Sequence, residues 1–197
     1  MPNFTGSHDN CPAGATDRMH TTHADPDENR RRPWDVGFRH IRPEDEILLR
    51  EYSYLAWFVP EGAPPVPRDI IRQPAIARYS VNWGMRGDEG LFAVEKGSGS
   101  DLGAAWFRLW QPGDTGFGFV DFDTSELSIA VRPAFRGRGI GSLLLKELLA
   151  SADSRHAAVS LSVSNRNPAM RLYKRFGFQS LSATEESTVM LRMRNAS

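Results

Sequence analysis

Glu126-Leu-Ser-Ile-Ala-Val-Arg-Pro-Ala-Phe-Arg-Gly-Arg-Gly-Ile-Gly-Ser-Leu-Leu-Leu-Lys-Glu-Leu-Leu149 reads as a strand, a glycine-rich turn and a helix in direct succession. Leu127, Ile129 and Val131 alternate with Ser128 and Ala130, which is the period of a strand, and Pro133 ends the run because it has no N–H to give a ladder. From Ile140 the period changes. Ile140, Leu143, Leu144 and Leu148 share one helical face, so a buried helix is expected to start close to Gly139 and Ile140. Between the two elements lies Arg136-Gly-Arg-Gly-Ile-Gly141, whose glycines leave backbone N–H groups uncovered at the positive end of a helix. Such a turn is a cradle for an anion.

What the turn lacks narrows the anion. A Walker A loop needs Gly-Lys-Ser/Thr at the helix start, whereas Gly141 is followed directly by Ser142. A dinucleotide fingerprint needs the G-x-G-x-x-G spacing and a later acidic residue, and glycines at 137, 139 and 141 with no such acid do not supply it. A second stretch, Asn167-Pro-Ala-Met-Arg-Leu-Tyr-Lys-Arg-Phe-Gly177, reads as a short helix. Asn167 is its N-cap, Pro168 its first residue and Gly177 its stop, with Ala169, Leu172, Tyr173 and Phe176 on one face.

Arg136, Gly139 and Gly141 resemble the pyrophosphate-binding motif R/Q-x-x-G-x-G/A of the GNAT superfamily of acyl-CoA-dependent N-acyltransferases. The Asn-Pro-Ala-x-x-Leu-Tyr-x-x-x-Gly-Phe pattern from Asn167 to Phe178 resembles the second signature of that superfamily, in the right order and at a fitting distance. The resemblance covers about Val36 to Arg194 and implies a bacterial-type N-acetyltransferase with acetyl-CoA as co-substrate and no metal. It implies an α/β (α+β) fold, a mixed, mostly antiparallel central sheet of about seven strands flanked by about four helices. Carried over by position, Ile129, Ala130 and Val131 would run beside the pantetheine and supply a backbone N–H to the thioester oxygen. Arg136, Gly137, Arg138, Gly139, Ile140 and Gly141, with Ser142 after them, would hold the pyrophosphate, and Asn167 would touch the cofactor arm. Tyr173 would sit beside the sulfur.

Amine attack on a thioester needs an oxyanion stabilised, a departing thiolate protonated and the amine presented uncharged. Tyr173 fits as general acid, and Glu126, which opens the motif strand, fits as general base if burial or an intervening water helps it. Some GNAT enzymes place a glutamate on the later strand, where this chain has Ser160, Ser162 and Ser164, so the base stays open between Glu126, water and another residue. A non-catalytic acyl-CoA-binding sensor is the alternative, against which the presence of both Glu126 and Tyr173 counts.

Composition bounds the partners. A chain of 197 residues with 40% hydrophobic residues can bury a full core, and residues 34–197 are expected to form one domain. The formal net charge is zero, which removes a global argument for nucleic acid, and no apolar run approaches the ~20 residues a membrane span needs. Charge is distributed unevenly: nine basic residues stand against two acidic ones between Arg132 and Arg175, whereas Asp114, Asp121, Asp123 and Glu126 meet no base after Arg108. That asymmetry suits a phosphorylated cofactor beside a cationic acceptor, a small-molecule or peptide amine, and it is compatible with a homodimer. The start of the chain has neither a basic n-region nor an apolar h-region, so a cytoplasmic location is expected. Cys11 is the only cysteine, and residues 1–33, poor in large apolar side chains, read as a disordered tail in which His8, Cys11, His20 and His23 match no compact metal site.

Upstream of the motif, Val36, Phe38 and Ile41 suggest a strand. Arg42-Pro-Glu-Asp45 starts a helix with Ile47, Leu48, Tyr52, Leu55 and Trp57 or Phe58 on its apolar face. A proline-rich connection over Val59 to Pro67 leads to a second helix expected from about Arg68 to Trp83. Strands are expected over Leu91 to Val94, Leu102 to Trp110, Ala158 to Ser164, Phe178 to Leu181 and Val189 to Met193. Trp57, Phe58, Tyr79 and Trp83 are candidates for the acceptor pocket or for the core.

Overall fold

The computed structural model describes residues 35–194. The tail expected over residues 1–33, and the histidines and cysteine in it, lie outside the described residues. The chain runs β1 (Val36–His40), α1 (Glu46–Ala56), α2 (Pro74–Ala77), β2 (Glu89–Glu95), β3 (Asp101–Arg108), β4 (Ser125–Val131), α3 (Ile140–Arg155), β5 (Ala158–Ser164), α4 (Met170–Arg175), β6 (Gln179–Ala183) and β7 (Ser187–Met193). The strands form one sheet in the order β1-β2-β3-β4-β5-β7-β6. Neighbours are antiparallel except β4 and β5, which run parallel. That pair is registered only at Ser125 with Val159 and Glu126 with Ser160, after which the two strands part.

The sheet is covered on both faces because its central strands carry apolar residues at consecutive positions. On one face Ile140, Leu144, Leu145 and Leu148 of α3 pack against Leu91, Ala105, Phe107, Leu127 and Leu161. Leu144, Leu145 and Leu148 are fully buried, a gain of about 2 kcal/mol each relative to exposure. On the other face Leu49 and Tyr52 of α1 pack against Phe92, Ala104, Trp106 and Ala130. Leu143, expected on the buried face of α3, is 42% exposed, and Leu145 and Leu149 take its place.

Two expectations upstream of the motif are corrected. The buried face of α1 is Leu49, Tyr52 and Ser53, and Ile47 is 84% exposed. A 3₁₀ turn over Pro43–Asp45 precedes α1, and its tighter winding shifts the phase that a continuous helix would have had. The single helix expected over 68–83 is broken. A 3₁₀ stretch (Arg68–Arg72) ends at Gln73, whose ψ of 132° is the extended conformation forced on a residue before proline, and α2 then lasts only from Pro74 to Ala77. Beyond it the chain is held from outside: Arg108 donates to the carbonyls of Arg78 and Val81, the latter at 2.9 Å, and pairs with buried Asp88 at 2.7 Å.

Among the described residues no helix is long and apolar enough to cross a membrane.

Candidate active site

The parting of β4 and β5 creates the site. Arg132 N–H donates to Leu102 O at 2.9 Å, and alternation along that ladder turns the N–H groups of Ile129 and Val131 away from β3, into the gap that β5 vacates. β4 ends in a 3₁₀ turn over Pro133–Phe135. The chain then passes through Gly137 (φ 74°) and Gly139 (φ 83°), left-handed conformations that a Cβ would strain, and enters α3. The N–H groups of Gly137, Gly139, Ile140, Gly141 and Ser142 have no backbone acceptor among the described residues. They converge on a groove of about 780 Å³. Ile129, Ala130, Val131, Arg136, Gly137, Gly139, Ile140, Gly141, Ser142 and Asn167, to which the resemblance assigns contacts with the cofactor, all line it. Arg138 does not; its guanidinium stands 5.7 Å over the Phe135 ring. Arg136 folds back along the groove, Nε donating to Val131 O at 3.1 Å and Nη2 reaching Leu55 O at 3.5 Å.

Opposite the glycine turn stands the short helix α4. Asn167 Oδ1 accepts from Ala169 N at 2.9 Å, an Asx turn that leads into the helix. The N-cap position itself is Ala169, so α4 starts at Met170, two residues later than the Pro168 expected from the sequence. At the other end Gly177 (φ 87°) donates to Lys174 O and Phe178 N to Tyr173 O, both at 3.1 Å, the paired bonds of a Schellman stop. The Asx turn and the Schellman stop fix Tyr173 between them. Its ring packs edge-on against Phe178 at 6.1 Å. Burial pushes its phenol up to about 12, so the hydroxyl stays protonated at neutral pH.

Glu126 occupies the apex where β4 and β5 part, and it is only 3% exposed. Tyr79 Oη donates to its Oε1 at 2.8 Å, Gly118 N to the same oxygen at 2.8 Å, and Trp110 Nε1 to Oε2 at 2.7 Å. Desolvation raises its pKa from the ordinary carboxylate range, and the three donors pull the other way. Burial, with the Glu126 charge second, raises the pKa of the Tyr79 phenol. Tyr79 Oη in turn accepts from Phe117 N at 2.7 Å. The loop that brings these donors must be glycine at two places. A Cβ at Gly118 would lie 2.9 Å from Glu126 Oε1 and 2.7 Å from the backbone of Leu161, and one at Gly116 would collide with Glu126, Trp110 and Tyr79 together.

Glu126 faces a second cleft of about 430 Å³ whose walls include Trp57, Phe58, Ile76, Tyr79, Phe117, Ser162 and Ser164. The two clefts share Ala56, Trp57, Phe58, Ile129, Asn167 and Tyr173, so Tyr173 stands where they meet. Asp121 and Asp123 are not on the second cleft; both are exposed, and Asp121 Oδ1 accepts from Asp123 N at 3.0 Å. Trp83 is core, its Nε1 donating to Ile41 O at 3.2 Å. Among the described residues no group of three or more His, Cys, Asp or Glu side chains is placed to hold a metal ion.

Residues 88–180, from the start of β2 to β6, match the family described as acetyltransferase (GNAT) domain. This stretch is a GNAT acetyltransferase domain. A Bacillus subtilis (strain 168) protein provisionally named a ribosomal protein bS18 alanine N-acetyltransferase is 37% identical over 70 residues, 34% of this chain and 46% of that protein. The chain thus spans about half the length of the curated relative it matches. Among solved structures, yncA of Salmonella typhimurium, determined with its cofactor acetyl-CoA, superposes with a TM-score of 0.58 at 22% identity, covering 83% of this chain and 96% of that one. The ribosomal-protein-S18-alanine N-acetyltransferase of Escherichia coli gives 0.56 at 18% identity, covering 82% and 96%. At these identities the likeness is one of fold: the seven-stranded, mostly antiparallel sheet with its parted β4 and β5 is the GNAT fold.

The GNAT domain as matched contains the glycine turn, Glu126 and Tyr173, but Trp57, Phe58, Ile76 and Tyr79 precede it. Sequence reasoning missed Trp110, Gly116, Gly118 and Glu186 as members of the site. Trp110 reads as the end of a strand and Glu186 as part of a polar link. The signal available was Gly116-Phe-Gly118, two glycines one residue apart in a loop facing the motif strand. Ser162 and Ser164 line the second cleft, whereas Ser160 is fully buried with no partner for its Oγ among the described residues.

Proposed function

We propose that this protein transfers the acetyl group of acetyl-CoA to a primary amine in the cytosol. One observation carries the reading: a groove floored by uncovered N–H groups and a carboxylate-bearing cleft open onto the same tyrosine. The groove fits a pyrophosphate because its donors are backbone amides at the positive end of a sixteen-residue helix. The N–H of Ile129 or Val131, pointing into the gap, would take the thioester oxygen as charge develops there.

The amine nitrogen forms a bond to the carbonyl carbon, the carbon–sulfur bond breaks, and the thiolate leaves with a proton from Tyr173, giving an amide and free CoA thiol. Against a thiol near 8.5, donation from a phenol near 12 is uphill by about 5 kcal/mol, more than an unperturbed tyrosine would face. The same dry site also disfavours the thiolate, which narrows that gap. Glu126, its pKa raised by burial, takes the amine proton through a water, and Oε2, with one donor against two on Oε1, has the lone pair to spare.

Thiol release from acetyl-CoA in the presence of a mixed amine panel, with the acetylated product identified by mass, tests this reading. Amine-dependent release supports it. Tight acetyl-CoA binding with no release from any amine would instead make the domain an acyl-CoA sensor.

A further inference from the structure

The acceptor-side cleft has a chemical character of its own. Among the described residues its charged lining residues are Glu126 and Glu186, with no lysine or arginine on the wall. An acceptor bearing a carboxylate or phosphate would be desolvated there without a cationic partner. Its upper wall is a run of aromatic rings. Trp57 meets Phe117 edge-on at 6.2 Å, Phe117 stacks on Tyr79 at 6.1 Å and 15°, and Tyr79 meets Trp110 edge-on at 5.1 Å. The run ends at Glu126, which both Tyr79 and Trp110 hold by hydrogen bonds.

Phe117 decides what this wall is for. Its ring is 52% exposed and Trp57 is 40% exposed, an apolar cost that a folded surface ordinarily avoids. The exposure does not come from a loose loop, because Phe117 N is tied to Tyr79 Oη at 2.7 Å and the next residue, Gly118, to Glu126 at 2.8 Å. An apolar ring held open over a cleft, on the same two residues that hold its carboxylate, is a preorganised surface for a flat apolar body.

Resting on the acetyltransferase reading, we infer that the acceptor is a monoamine with an aromatic body and no anionic group, its ring against Phe117 and Trp57 and its nitrogen toward Glu126. In the step, the ammonium first gives one proton to the Glu126 side, and the free amine nitrogen then bonds to the acetyl carbon as the carbon–sulfur bond breaks. The second proton that nitrogen sheds balances the one Tyr173 gives the thiolate, leaving the amide, CoA thiol and one proton released to solvent.

The test compares four probes at saturating acetyl-CoA: phenethylamine, phenylalanine, spermidine and a short peptide with an N-terminal alanine. Phenethylamine should give the highest kcat/KM, and phenylalanine, identical except for its carboxylate, should fall by about 100-fold. Phe117→Ala should raise the phenethylamine KM about tenfold with little change in kcat, and Phe117→Leu should recover most of the loss, because apolar area is restored. Preference for spermidine, the peptide or phenylalanine would overturn the inference while leaving acetyl transfer standing. No thiol release from acetyl-CoA with any of the four amines, nor with any other primary amine, would overturn both. If Phe117→Ala fails to fold, Trp57→Ala gives the same KM test from the other side of the wall.

Discussion

Tyr79 and Glu126 are 47 residues apart in the chain and 2.8 Å apart in the fold, hydroxyl to carboxylate. The segment ahead of the GNAT domain thereby reaches into it and holds the one carboxylate at the apex of the sheet. Tyr79→Phe removes that donor and the acceptor of Phe117 N at once. Because the Tyr79 bond lowers the Glu126 pKa, its loss should raise it further. A base must be deprotonated to act, so the acidic limb of the kcat/KM profile should move to higher pH in the variant. Stability should drop by about 1–2 kcal/mol. An unmoved acidic limb would take Glu126 out of the proton path.

The same raised pKa has a consequence for stability. Glu126 is more readily protonated folded than unfolded, so its contribution is fully present below the unfolded carboxylate value, about 4.3, and is lost as pH rises through the folded value. Relative to Glu126→Gln, which cannot titrate, the wild type should therefore lose melting temperature as pH is raised across that window. A constant difference between the two proteins from pH 4 to pH 8 would show that the three donors cancel the cost of burial.

How far the site is legible in the sequence depends on how local its causes are. The glycine turn, the start of α3 and the stop of α4 are written in consecutive residues, since left-handed glycines act within a turn of where they stand. The start of α4 is placed less well, because Asn167 forms an Asx turn and the helix begins only at Met170. The Glu126 cluster is not local. Trp110, Gly118 and Tyr79 converge on it from three segments, and each taken alone reads as core or loop. Asp121 and Asp123 mislead for the converse reason: nearness to Glu126 in sequence suggests a shared acidic face, but they turn outward to solvent before β4 begins. The break at Gln73 is a local signal as well, since a residue before proline resists the helical conformation, whereas the spacing of Ile70, Ile71 and Ile76 imitates the apolar face of one continuous helix.

Gly141 separates the cradle from the fold. A Cβ there would meet Leu172 at 3.5 Å, an ordinary contact, and the residue is helical, so Gly141→Asp should keep its melting temperature within a few degrees. A carboxylate at the mouth of the N–H groups would compete with phosphate, and acetyl-CoA affinity by calorimetric titration should fall by about 100-fold or more. Gly139→Asp should lose the same affinity and in addition about 1 kcal/mol of stability, the strain of φ 83° on a residue with a Cβ. Wild-type affinity in Gly141→Asp would remove the glycine turn from the cofactor site.

Tyr173→Phe keeps the ring, its edge contact with Phe178 and the hydrogen bonds at both ends of α4, and deletes a hydroxyl that has no hydrogen-bond partner among the described residues. Stability and acetyl-CoA affinity should hardly change. If the hydroxyl protonates the leaving thiolate, kcat should fall by about 10² to 10⁴ with KM for the amine unaltered. Unchanged turnover would assign the proton to water.

Arg108 tests whether the acceptor wall can be loosened without touching the cofactor side. Its guanidinium and Asp88 are 7% and 1% exposed, and it also donates to the carbonyls of Arg78 and Val81, on either side of Tyr79 and Ser80. Arg108→Ala leaves Asp88 buried with two backbone donors, Gly84 N and Met85 N, but without its cation. The expected cost is about 3–5 kcal/mol, the usual result of removing one partner from a buried pair. The carbonyls that Arg108 held are then free to shift, and Tyr79, Phe117 and the Glu126 carboxylate shift with them. The amine KM should rise severalfold while acetyl-CoA affinity, set at the C-terminal end of β4, stays within a factor of about two. Equal losses at both sites would mean that the two clefts are one cooperative unit.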